Sequence, residues 1–461
     1  MIQKAEIKAK NLRFANSTSI GMRAGQFLFL GSQTPLGLQT GKLIRGFKDL
    51  PEEVRRQLAT GMLHTDITEE RILVLAWQIY QNLKDILTEQ NSSLDNVVRQ
   101  RFFLQNMRDL LSLEKVILTF MPTERPATTI IEATNAGVNK EIAVQADFIA
   151  LVPQEGIKRA NISISDLDHL TAPYPLATKA GQFIFTSSMV GVNPETGRLV
   201  NHFEELNSEE REMLEPPYTL KGEAAVAQHL TIFRHFRRIL ESQGAPLGSH
   251  IHQNGWLRIP MQEFGTTAKI RRRLFAGQEN MAGCTALPVS GIRREDAAFE
   301  YEIVALIPPK DNNEYRKEII MDAHPLCGFY LPAVKAGPFV FTAGEVAIDT
   351  GGPCFVNRFS DLKDDGKFLP YGRIHEEKSI MVEAWFVYQK LKSYVEAYGS
   401  SMENVVHQSV YMVNPADYPA LERIATLFYG SKLPPTSLVP IVGATPYPEA
   451  NLEIEVIALV T

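Results

Sequence analysis

Apolar residues are spaced along this chain in two rhythms, and both rhythms recur three times. The first places an apolar residue at every third or fourth position, the spacing of one buried helix face. It occurs in three stripes: Ile72, Leu75, Ile79, Leu83 and Leu87; Val226, Leu230, Phe233, Phe236 and Leu240; and Met381, Trp385, Tyr388 and Leu391. We therefore expect three long helices whose stripes lie in hydrophobic cores rather than around a cofactor.

The second rhythm is that of β-strands, and it follows each long helix. Strand-like runs occur as VVRQRFFL at 97–104, HIHQNGWL at 250–257 and VVHQSVYM at 405–412. A shorter helix is predicted after each of them, at 109–120, 262–275 and 417–429. A β-rich run then closes each copy, at 143–152, 298–307 and 452–460.

A short phrase begins each copy: RAGQFLF at 23–29, KAGQFIF at 179–185 and KAGPFVF at 335–341. Its glycines, Gly25, Gly181 and Gly337, are 156 residues apart in both steps. Turn residues after each phrase indicate a hairpin, and a polar segment such as 206–222 is interpreted as a surface insertion. A period near 150 residues is the size of a domain, so each copy can bury its own core.

The repeated order is therefore β-β-α-β-α-β, an α+β fold with helices on one face of a sheet. We predict three domains at 1–155, 165–310 and 325–461. The other face of each sheet has no cover within its own copy. Packing the three bare faces around a pseudo-threefold axis would cover them, as in a homotrimer made from one chain.

Composition and charge exclude several classes of protein. The formal net charge is −6, which argues against nucleic acid as the main partner because phosphate binding needs a positive field. Three cysteines, Cys284, Cys327 and Cys354, are too few for a disulfide framework and fit a cytoplasmic location. The sequence has neither a signal peptide nor a membrane-length apolar run, and no nucleotide- or metal-binding motif, so we expect no membrane and no cofactor.

Several phrases in the same order resemble the RidA/YjgF superfamily of small homotrimeric proteins, which includes enamine and imine deaminases. They are PYPLATKAGQ at 173–182, FYLPAVKAGP at 329–338, GSSMENVVHQ at 399–408 and EIEVIA at 453–458. The resemblance covers nearly the whole chain, three times over. It implies three tandem RidA-like domains that form an intramolecular pseudo-trimer, with small-molecule clefts between neighbouring domains.

The family's substrate-binding arginine is missing from this chain. In the deaminases it lies in a PARST-like segment and binds the substrate carboxylate. The matching segments, PATT at 126–129, AGCT at 282–285 and PPTSL at 434–438, are interpreted as placing Thr128, Gly283 and Thr436 at that position. Because no hydroxyl replaces a bidentate guanidinium, the family's usual deamination is in question.

Other family positions are retained in the second and third repeats. The resemblance implies that Tyr174 and Tyr330 bind substrate and that Glu300 and Glu453 are catalytic; the first repeat has Thr18 and Gln145 there. We therefore expect the first repeat to be structural.

The residues themselves give a second reason to consider the glutamates. Side chains two apart on a strand share a face, so Glu300 with Glu302, and Glu453 with Glu455, are expected to lie side by side. One pKa of such a pair should rise toward the range useful for acid–base catalysis. The alternatives are a solvated strand edge or a carboxylate hydrogen-bonded across a seam between domains.

Further substrate-binding candidates are Asn414, Thr436 and Cys284, beside Tyr174 and Tyr330. Turn formation explains Asn414 equally well, packing explains the tyrosines, and a lone cysteine is usually a small buried hydrophobic residue. His250 and His252 share a strand face but lack a third metal ligand nearby in sequence, so no metal is expected. The arginines of 234–238 and 271–273 could bind phosphate, although a solvated helix face is the simpler interpretation.

Two functions follow from this pattern. The first is an enzyme acting on a small enamine, imine or enol-acid metabolite, of the deaminase, hydrolase or lyase type, in a cleft between repeats. The alternative is a catalytically degenerate small-molecule-binding or scaffold protein. Further self-association of the pseudo-trimer is left open.

Overall fold

The computed structural model describes most of the chain. The described residues are 2–8, 18–38, 41–58, 67–134, 141–154, 157–214, 222–258, 261–307, 317–325, 328–351, 354–363, 379–430, 432–443 and 449–460. Cys327 lies outside them. Among the residues described, no helix is long and apolar enough to cross a membrane.

The first repeat, called unit 1, combines six strands with two long helices and one short one. Its elements are β1 (Lys4–Glu6), β2 (Gly21–Ala24), β3 (Phe27–Gln33), α1 (Glu52–Leu58), α2 (Ile67–Glu89), β4 (Val97–Leu104), α3 (Leu110–Phe120), β5 (Ala127–Glu132) and β6 (Val144–Leu151).

Unit 2 repeats this order and adds one short strand. Its elements are β7 (Arg159–Ile162), β8 (Ala177–Ala180), β9 (Phe183–Thr186), α4 (Ser208–Glu212), α5 (Glu223–Glu241), β10 (His250–Leu257), α6 (Met261–Leu274), β11 (Gly283–Pro288), β12 (Gly291–Ile292) and β13 (Phe299–Leu306).

Unit 3 has the same plan. Its elements are β14 (Lys317–Glu318), β15 (Ala333–Ala336), β16 (Phe339–Thr342), β17 (Ile348–Asp349), β18 (Cys354–Phe355), α7 (Ser379–Ala397), β19 (Val405–Met412), α8 (Tyr418–Tyr429), β20 (Thr436–Pro440) and β21 (Leu452–Leu459).

Each unit contributes one large sheet. The strand orders are β1-β2-β3-β6-β4-β5-β12, β11-β10-β13-β9-β8-β7 and β14-β15-β16-β21-β19-β20, while β17 and β18 form a separate hairpin. The strand after the second helix runs parallel to its neighbour (β4–β5, β10–β11, β19–β20), and the other pairings in these sheets are antiparallel. The strand β12 of unit 2 completes the sheet of unit 1.

The predicted α+β class and threefold repeat are confirmed. Each unit contains the order β-β-α-β-α-β and adds an edge strand before it and a parallel strand after the second helix. The edge strands have only two to four residues, so they show too few alternations to stand out in the sequence. The edge strands β7 and β14 lie between the predicted domain limits, which themselves stay predictions.

The short phrase that begins each copy contains a two-residue hairpin turn, at its third and fourth residues. Gly25, Gly181 and Gly337 have φ angles of +59°, +60° and +56°, and Ala24 pairs with Phe27 across the first of these turns. A positive φ is the left-handed conformation that glycine adopts without a steric penalty. The phrase therefore recurs because each sheet begins with the same tight turn.

We expect Gly181→Ala to lower the free energy of unfolding by about 1–2 kcal/mol, the usual cost of an L-residue in the left-handed region. A Cβ at Gly181 would meet neighbours only at 3.5 Å and beyond, so the loss comes from the backbone. Urea unfolding measures it. Gly46→Ala is the matched control, because Gly46 has φ −162° and nothing within 4 Å of its Cβ position; equal losses in both variants would contradict the explanation.

Two kinds of core hold the units. The helical stripes pack on one face of each sheet, where Ile72, Leu230 and Leu391 are fully or almost fully buried. The opposite faces meet at the centre, where the rings of Phe27, Phe183 and Phe339 form a triangle. Their centroids are 5.5 Å apart for Phe27–Phe183, 5.9 Å for Phe27–Phe339 and 6.1 Å for Phe183–Phe339.

The phenylalanine at the fifth position of each short phrase thus lies at the centre, where the three units meet. The predicted pseudo-trimer is confirmed. The interfaces between neighbouring units are called the first seam (units 1 and 2), the second seam (units 2 and 3) and the third seam (units 3 and 1).

Candidate functional site

Strand pairing shows which residues of the three units occupy equivalent positions in the segments expected to lack the family's arginine. Gln100 pairs with Thr128, Gln253 with Cys284, and Gln408 with Thr436. Cys284 is therefore the counterpart of Thr128 and Thr436, and the assignment of Gly283 to this position is wrong by one residue. The strand β11 is held by its parallel partner β10, a constraint that the short segment AGCT does not reveal.

The first seam joins β5 of unit 1 to β8 and β9 of unit 2. The Ala127 N–H donates to Thr178 Oγ1 (2.9 Å), and the Thr128 N–H donates to Ser187 Oγ (3.0 Å). The Ser188 N–H donates in return to the Thr128 carbonyl (3.2 Å). The backbone of Ala127 and Thr128 is therefore hydrogen-bonded to unit 2, and these bonds hold units 1 and 2 together.

Glu300 lies in this seam and is completely buried. Its carboxylate accepts a hydrogen bond from the Ser188 hydroxyl. It accepts two more from Arg293, one from the backbone N–H and one from Nε–H, both at 3.1 Å. A buried carboxylate needs such partners. Three donors therefore already occupy the Glu300 carboxylate, and two of them belong to Arg293.

The two glutamates of the final strand do not form the expected pair. Glu302 contacts Thr129 and Arg101 of unit 1, whereas Glu300 contacts Ser188 and Arg293 of its own unit. Each acid has its own cation. The arrangement predicted from strand alternation, two carboxylates sharing one environment, is therefore absent at this pair.

Glu455 is not the member of the Glu453–Glu455 pair whose pKa is raised. Although burial alone would raise it, the pKa of Glu455 lies well below its usual range, because His252, Arg101 and Thr285 stabilise the carboxylate. Glu455 is 3.4 Å from His252 and 3.9 Å from Arg101. It belongs to a buried ionic cluster rather than to an acid–base site.

Tyr174 and Glu114 form a second group at the first seam. The Tyr174 hydroxyl of unit 2 donates to Glu114 Oε1 on α3 of unit 1 (3.3 Å). Burial raises the pKa of Tyr174 well above its usual value, so the phenol stays protonated. Burial also raises the pKa of Glu114, against the opposing effects of Arg293 and of the Tyr174 hydrogen bond. Glu114 is thus the carboxyl group of this seam that is suited to carry a proton.

The sequence analysis named Tyr174 and Glu300 as candidates, and it did not name Glu114 or Arg293. Glu114 is one polar residue on an amphipathic helix, and Arg293 follows a two-residue strand that crosses to unit 1. Neither has a local signal, because each reaches the seam only through packing between units.

The second seam contains Glu453, Tyr330 and Cys284. A Cβ added at Gly344 would lie 2.0 Å from Glu453 Oε1 and 2.9 Å from Thr285 Oγ1, so this glutamate lies directly on the seam. The Cys284 sulfur accepts from Gln253 Nε2 (3.1 Å) and Arg271 Nη2 (3.2 Å).

Aromatic rings line the same region. The ring of Tyr330 stacks on His324, with centroids 4.9 Å apart, and the Arg271 guanidinium lies 4.5 Å above the ring of Phe329. A cation from α6 therefore lies between the Cys284 sulfur of β11 and the ring of Phe329.

The third seam is filled by protein. A Cβ at Gly31 would lie 2.5 Å from the Thr436 nitrogen. The Tyr418 side chain hydrogen-bonds to Thr18 and Thr436, and Gln145 donates to the Leu438 carbonyl. Thr436 thus has a structural contact with unit 1.

Asn414 takes part in turn formation, the alternative to substrate binding given in the sequence analysis. It caps a turn: its oxygen accepts from Ala416 N–H (3.2 Å) and its amide donates to Asp417 (3.0 Å). Its side-chain bonds therefore stay within its own loop.

The histidine pair on β10 does not form a metal site. His250 Nδ1 contacts the Leu247 carbonyl at 2.8 Å, whereas His252 faces Glu455. Among the described residues, the one group of three within ligating distance is His202, Glu204 and Glu223, on the surface.

Three arginines of the predicted basic cluster are paired with acids. The pairs are Arg234–Glu210 (2.9 Å), Arg237–Glu209 (2.7 Å) and Arg238–Asp166 (2.8 Å). This face of α5 is a surface of ion pairs rather than a field for phosphate.

Parts of this chain match one protein-family model and several known proteins. A family model described as Endoribonuclease L-PSP matches residues 56–152 and 322–460. A RutC family protein of Pyrococcus horikoshii is 24% identical over 132 residues, covering 29% of this chain and 84% of the relative. The mitochondrial protein Mmf1 of Saccharomyces cerevisiae is 33% identical over 70 residues, covering 15% and 48%.

Solved structures also match one unit's length of the chain. A putative endoribonuclease of Klebsiella pneumoniae is 24% identical and covers 29% of this chain and 98% of its own, with a TM-score of 0.28. Yeast Mmf1 is 24% identical and covers 33% and 100%, with a TM-score of 0.25.

Proposed function

Because the chain belongs to the Endoribonuclease L-PSP family, also called the RidA/YjgF superfamily, we propose that it is an enzyme acting on a small enamine, imine or enol-acid metabolite. The proposed site is the first seam. The proposal rests mainly on one observation, the convergence there of the hydrogen-bonded Tyr174–Glu114 pair and the anchored Arg293.

Hydrolysis of an imine requires a proton at nitrogen and a water at carbon. In the proposed reaction, the Glu114 carboxyl gives its proton to the imine nitrogen as water adds to the C=N carbon, and the proton that this water loses returns to Glu114. Glu114 then transfers that proton to the amine nitrogen and takes the remaining hydroxyl proton as the adduct collapses, so that ammonia leaves and a carbonyl product remains. Burial raises the pKa of Glu114, which favours the protonated carboxyl that this role needs.

We expect Glu114→Gln to lower kcat about a hundredfold with little change in KM, the usual loss when a general acid is removed. Ammonia release from imines formed in the assay by an amino-acid oxidase measures it. Glu52→Gln is the control, because Glu52 is an exposed glutamate of the same unit whose carboxylate pairs with Arg56 on α1. Unchanged turnover in Glu114→Gln would remove Glu114 from the mechanism.

The alternative function is binding without turnover. The filling of the third seam by Tyr418 and the commitment of Glu300 to Arg293 favour it. A ligand that binds the full chain but is never converted would decide for this alternative.

RNA cleavage, which the family description names, is disfavoured by the net charge of −6 and the paired arginines of α5. A cytoplasmic location and a small-molecule partner belong to the proposal; the yeast relative Mmf1 is named as mitochondrial.

A further inference from the structure

Units 1 and 3 share a hydrogen-bonded arrangement at the position where unit 2 has its buried cysteine. In unit 1, Gln100 Nε2 donates to Thr128 Oγ1 (3.0 Å), and the threonine hydroxyl donates in turn to the Pro126 carbonyl (2.8 Å). The Tyr80 hydroxyl donates to Gln100 Oε1 (2.7 Å), so the nitrogen and the oxygen of the glutamine both have a partner. Unit 3 repeats these bonds with Gln408, Thr436, Pro434, Tyr388 and Tyr429.

Unit 2 has only half of this arrangement. Gln253 Nε2 donates to the Cys284 sulfur (3.1 Å), but Gln253 Oε1 has no partner within the described residues, although the side chain is buried. The buried Tyr301 hydroxyl also has no partner there, and it is close enough to Cys284 for the two groups to interact electrostatically. Because buried polar atoms are normally paired, one acceptor and one donor near the sulfur remain to be satisfied.

The Cys284 sulfur accepts hydrogen bonds and donates none to the described residues. Its second donor is Arg271 Nη2, 3.2 Å away, from a side chain that is 1% exposed. Cysteines beside a guanidinium are preferred targets of oxidants. Cys284 is 7% exposed, so a small oxidant is the kind that reaches it.

We propose that Cys284 is a redox-modification site, at which hydrogen peroxide forms a sulfenic acid that the surrounding side chains hold. The sulfur attacks one peroxide oxygen and gives it an electron pair as the O–O bond breaks. The departing hydroxide takes the thiol proton and leaves as water, so the sulfur is oxidised and the peroxide is reduced. The new S–O–H group donates to Gln253 Oε1 and accepts from Arg271 or the Tyr301 hydroxyl. It thus gives unit 2 the hydroxyl that units 1 and 3 already have in their threonines.

This modification acts on a contact between units 2 and 3. The Arg271 guanidinium that contacts the sulfur also lies 4.5 Å from the ring of Phe329 in unit 3. The Leu331 N–H of unit 3 donates to the carbonyl of Ala282, two residues before Cys284 (3.0 Å). Oxidation therefore changes the second seam, whereas the groups proposed above for catalysis lie at the first.

Labelling with dimedone, which reacts with sulfenic acids, tests this inference on the full-length chain treated with hydrogen peroxide. Peptide-resolved mass spectrometry should find the label on Cys284. Gln253→Leu should lower the labelled fraction about fivefold, the effect of one buried hydrogen bond, and should raise the fraction oxidised further to the sulfinic acid. Gln100→Leu is the matched control, because Gln100 pairs with Thr128 as Gln253 pairs with Cys284, and it should leave the labelling of Cys284 unchanged.

A second variant keeps the test decisive if Gln253→Leu does not fold. Cys284→Thr gives unit 2 the residue of units 1 and 3. Peroxide should make hydrogen exchange of the Leu331 amide faster in the natural sequence, because Arg271 is drawn toward the new oxygen, and should have no effect on it in Cys284→Thr.

Three results would overturn the proposal: no dimedone label on Cys284, equal labelling in Gln253→Leu, or a peroxide effect on Leu331 that persists in Cys284→Thr. Imine turnover enters none of these measurements, so their outcome is independent of the function proposed for the first seam.

Discussion

Between pH 7 and pH 5 the free energy of unfolding should fall by about 4 kcal/mol from His235 and His407 alone, because these buried histidines resist protonation in the folded protein. Burial lowers the pKa of His407 to about 3 and that of His235 to about 4. Burial also lowers the pKa of His229 and His250 well below the usual value, which acts in the same direction. A loss of this size is a large part of the roughly 5–15 kcal/mol by which domains are stable.

The sign follows from proton uptake. Above pH 6.5 these histidines are neutral in both states, and their burial has no pH-dependent cost. Below pH 6.5 the unfolded chain binds protons that the folded chain does not, so each histidine removes about 1.4 kcal/mol per pH unit until its folded pKa is reached. Burial raises the pKa of Glu210 and Glu383, and these carboxyl groups offset part of the loss at the acid end.

Urea unfolding at a series of pH values measures this dependence. His229→Phe should reduce the slope by one proton, because neither ring nitrogen of His229 has a hydrogen-bond partner within the described residues and its ring packs between Phe233 and Tyr301. His202→Gln should leave the slope unchanged, since the His202 side chain is 68% exposed. A stability that is flat from pH 7 to pH 5 would contradict the whole account.

Much of the fold was predictable because its signals are local. The turn glycines repeat with their spacing, and the helical stripes are long enough to show a period. The edge strands were not predictable in the same way: Lys317–Glu318 has two residues, too few to show any alternation. The sequence analysis treated the segment of β5 only as part of a motif. Its extent as a strand is defined by its pairing with β4.

The candidate site was predictable only where one unit supplies the residue. Tyr174 and Glu300 lie at recognisable positions of unit 2, and both reach the first seam. Their roles depend on residues that no local pattern marks: Glu114 comes from a helix of unit 1, and Arg293 from an exchanged strand. The expected pair of acids failed because strand alternation gives the face of a side chain but not its partner across a seam.

The sequence also gives no indication of which side chains from different units meet in the ionic cluster at the centre of the pseudo-trimer. Arg101 is 2% exposed and contacts Glu302 and Asn254 of unit 2, with Glu455 of unit 3 at 3.9 Å. Although burial opposes its charge, these acids raise the pKa of Arg101 above its usual range. One arginine thus serves carboxylates from two other units, an asymmetry that a single chain permits and three identical copies would not.

We expect Arg101→Met to lower the free energy of unfolding by about 3–5 kcal/mol, because it leaves Glu302 buried without its cation. The comparison with Arg56→Met is informative, since Arg56 pairs with Glu52 on the surface and both side chains are more than two-thirds exposed (77% and 68%). Such a pair contributes about 0–1 kcal/mol. Urea unfolding at pH 7.5, where the histidine effect is small, measures both variants.

The double variant Arg101→Met/Glu302→Met separates the net contribution of the pair from the cost of an orphaned charge. If the large loss in Arg101→Met comes from the uncompensated Glu302, removing both charges should recover most of it, because apolar side chains of similar volume replace a buried pair at little net cost. A double variant as unstable as Arg101→Met would instead mean that the loss comes from Arg101's contacts with Asn254 and Glu455. The central arginine would then act as a tie among all three units rather than as half of one ion pair.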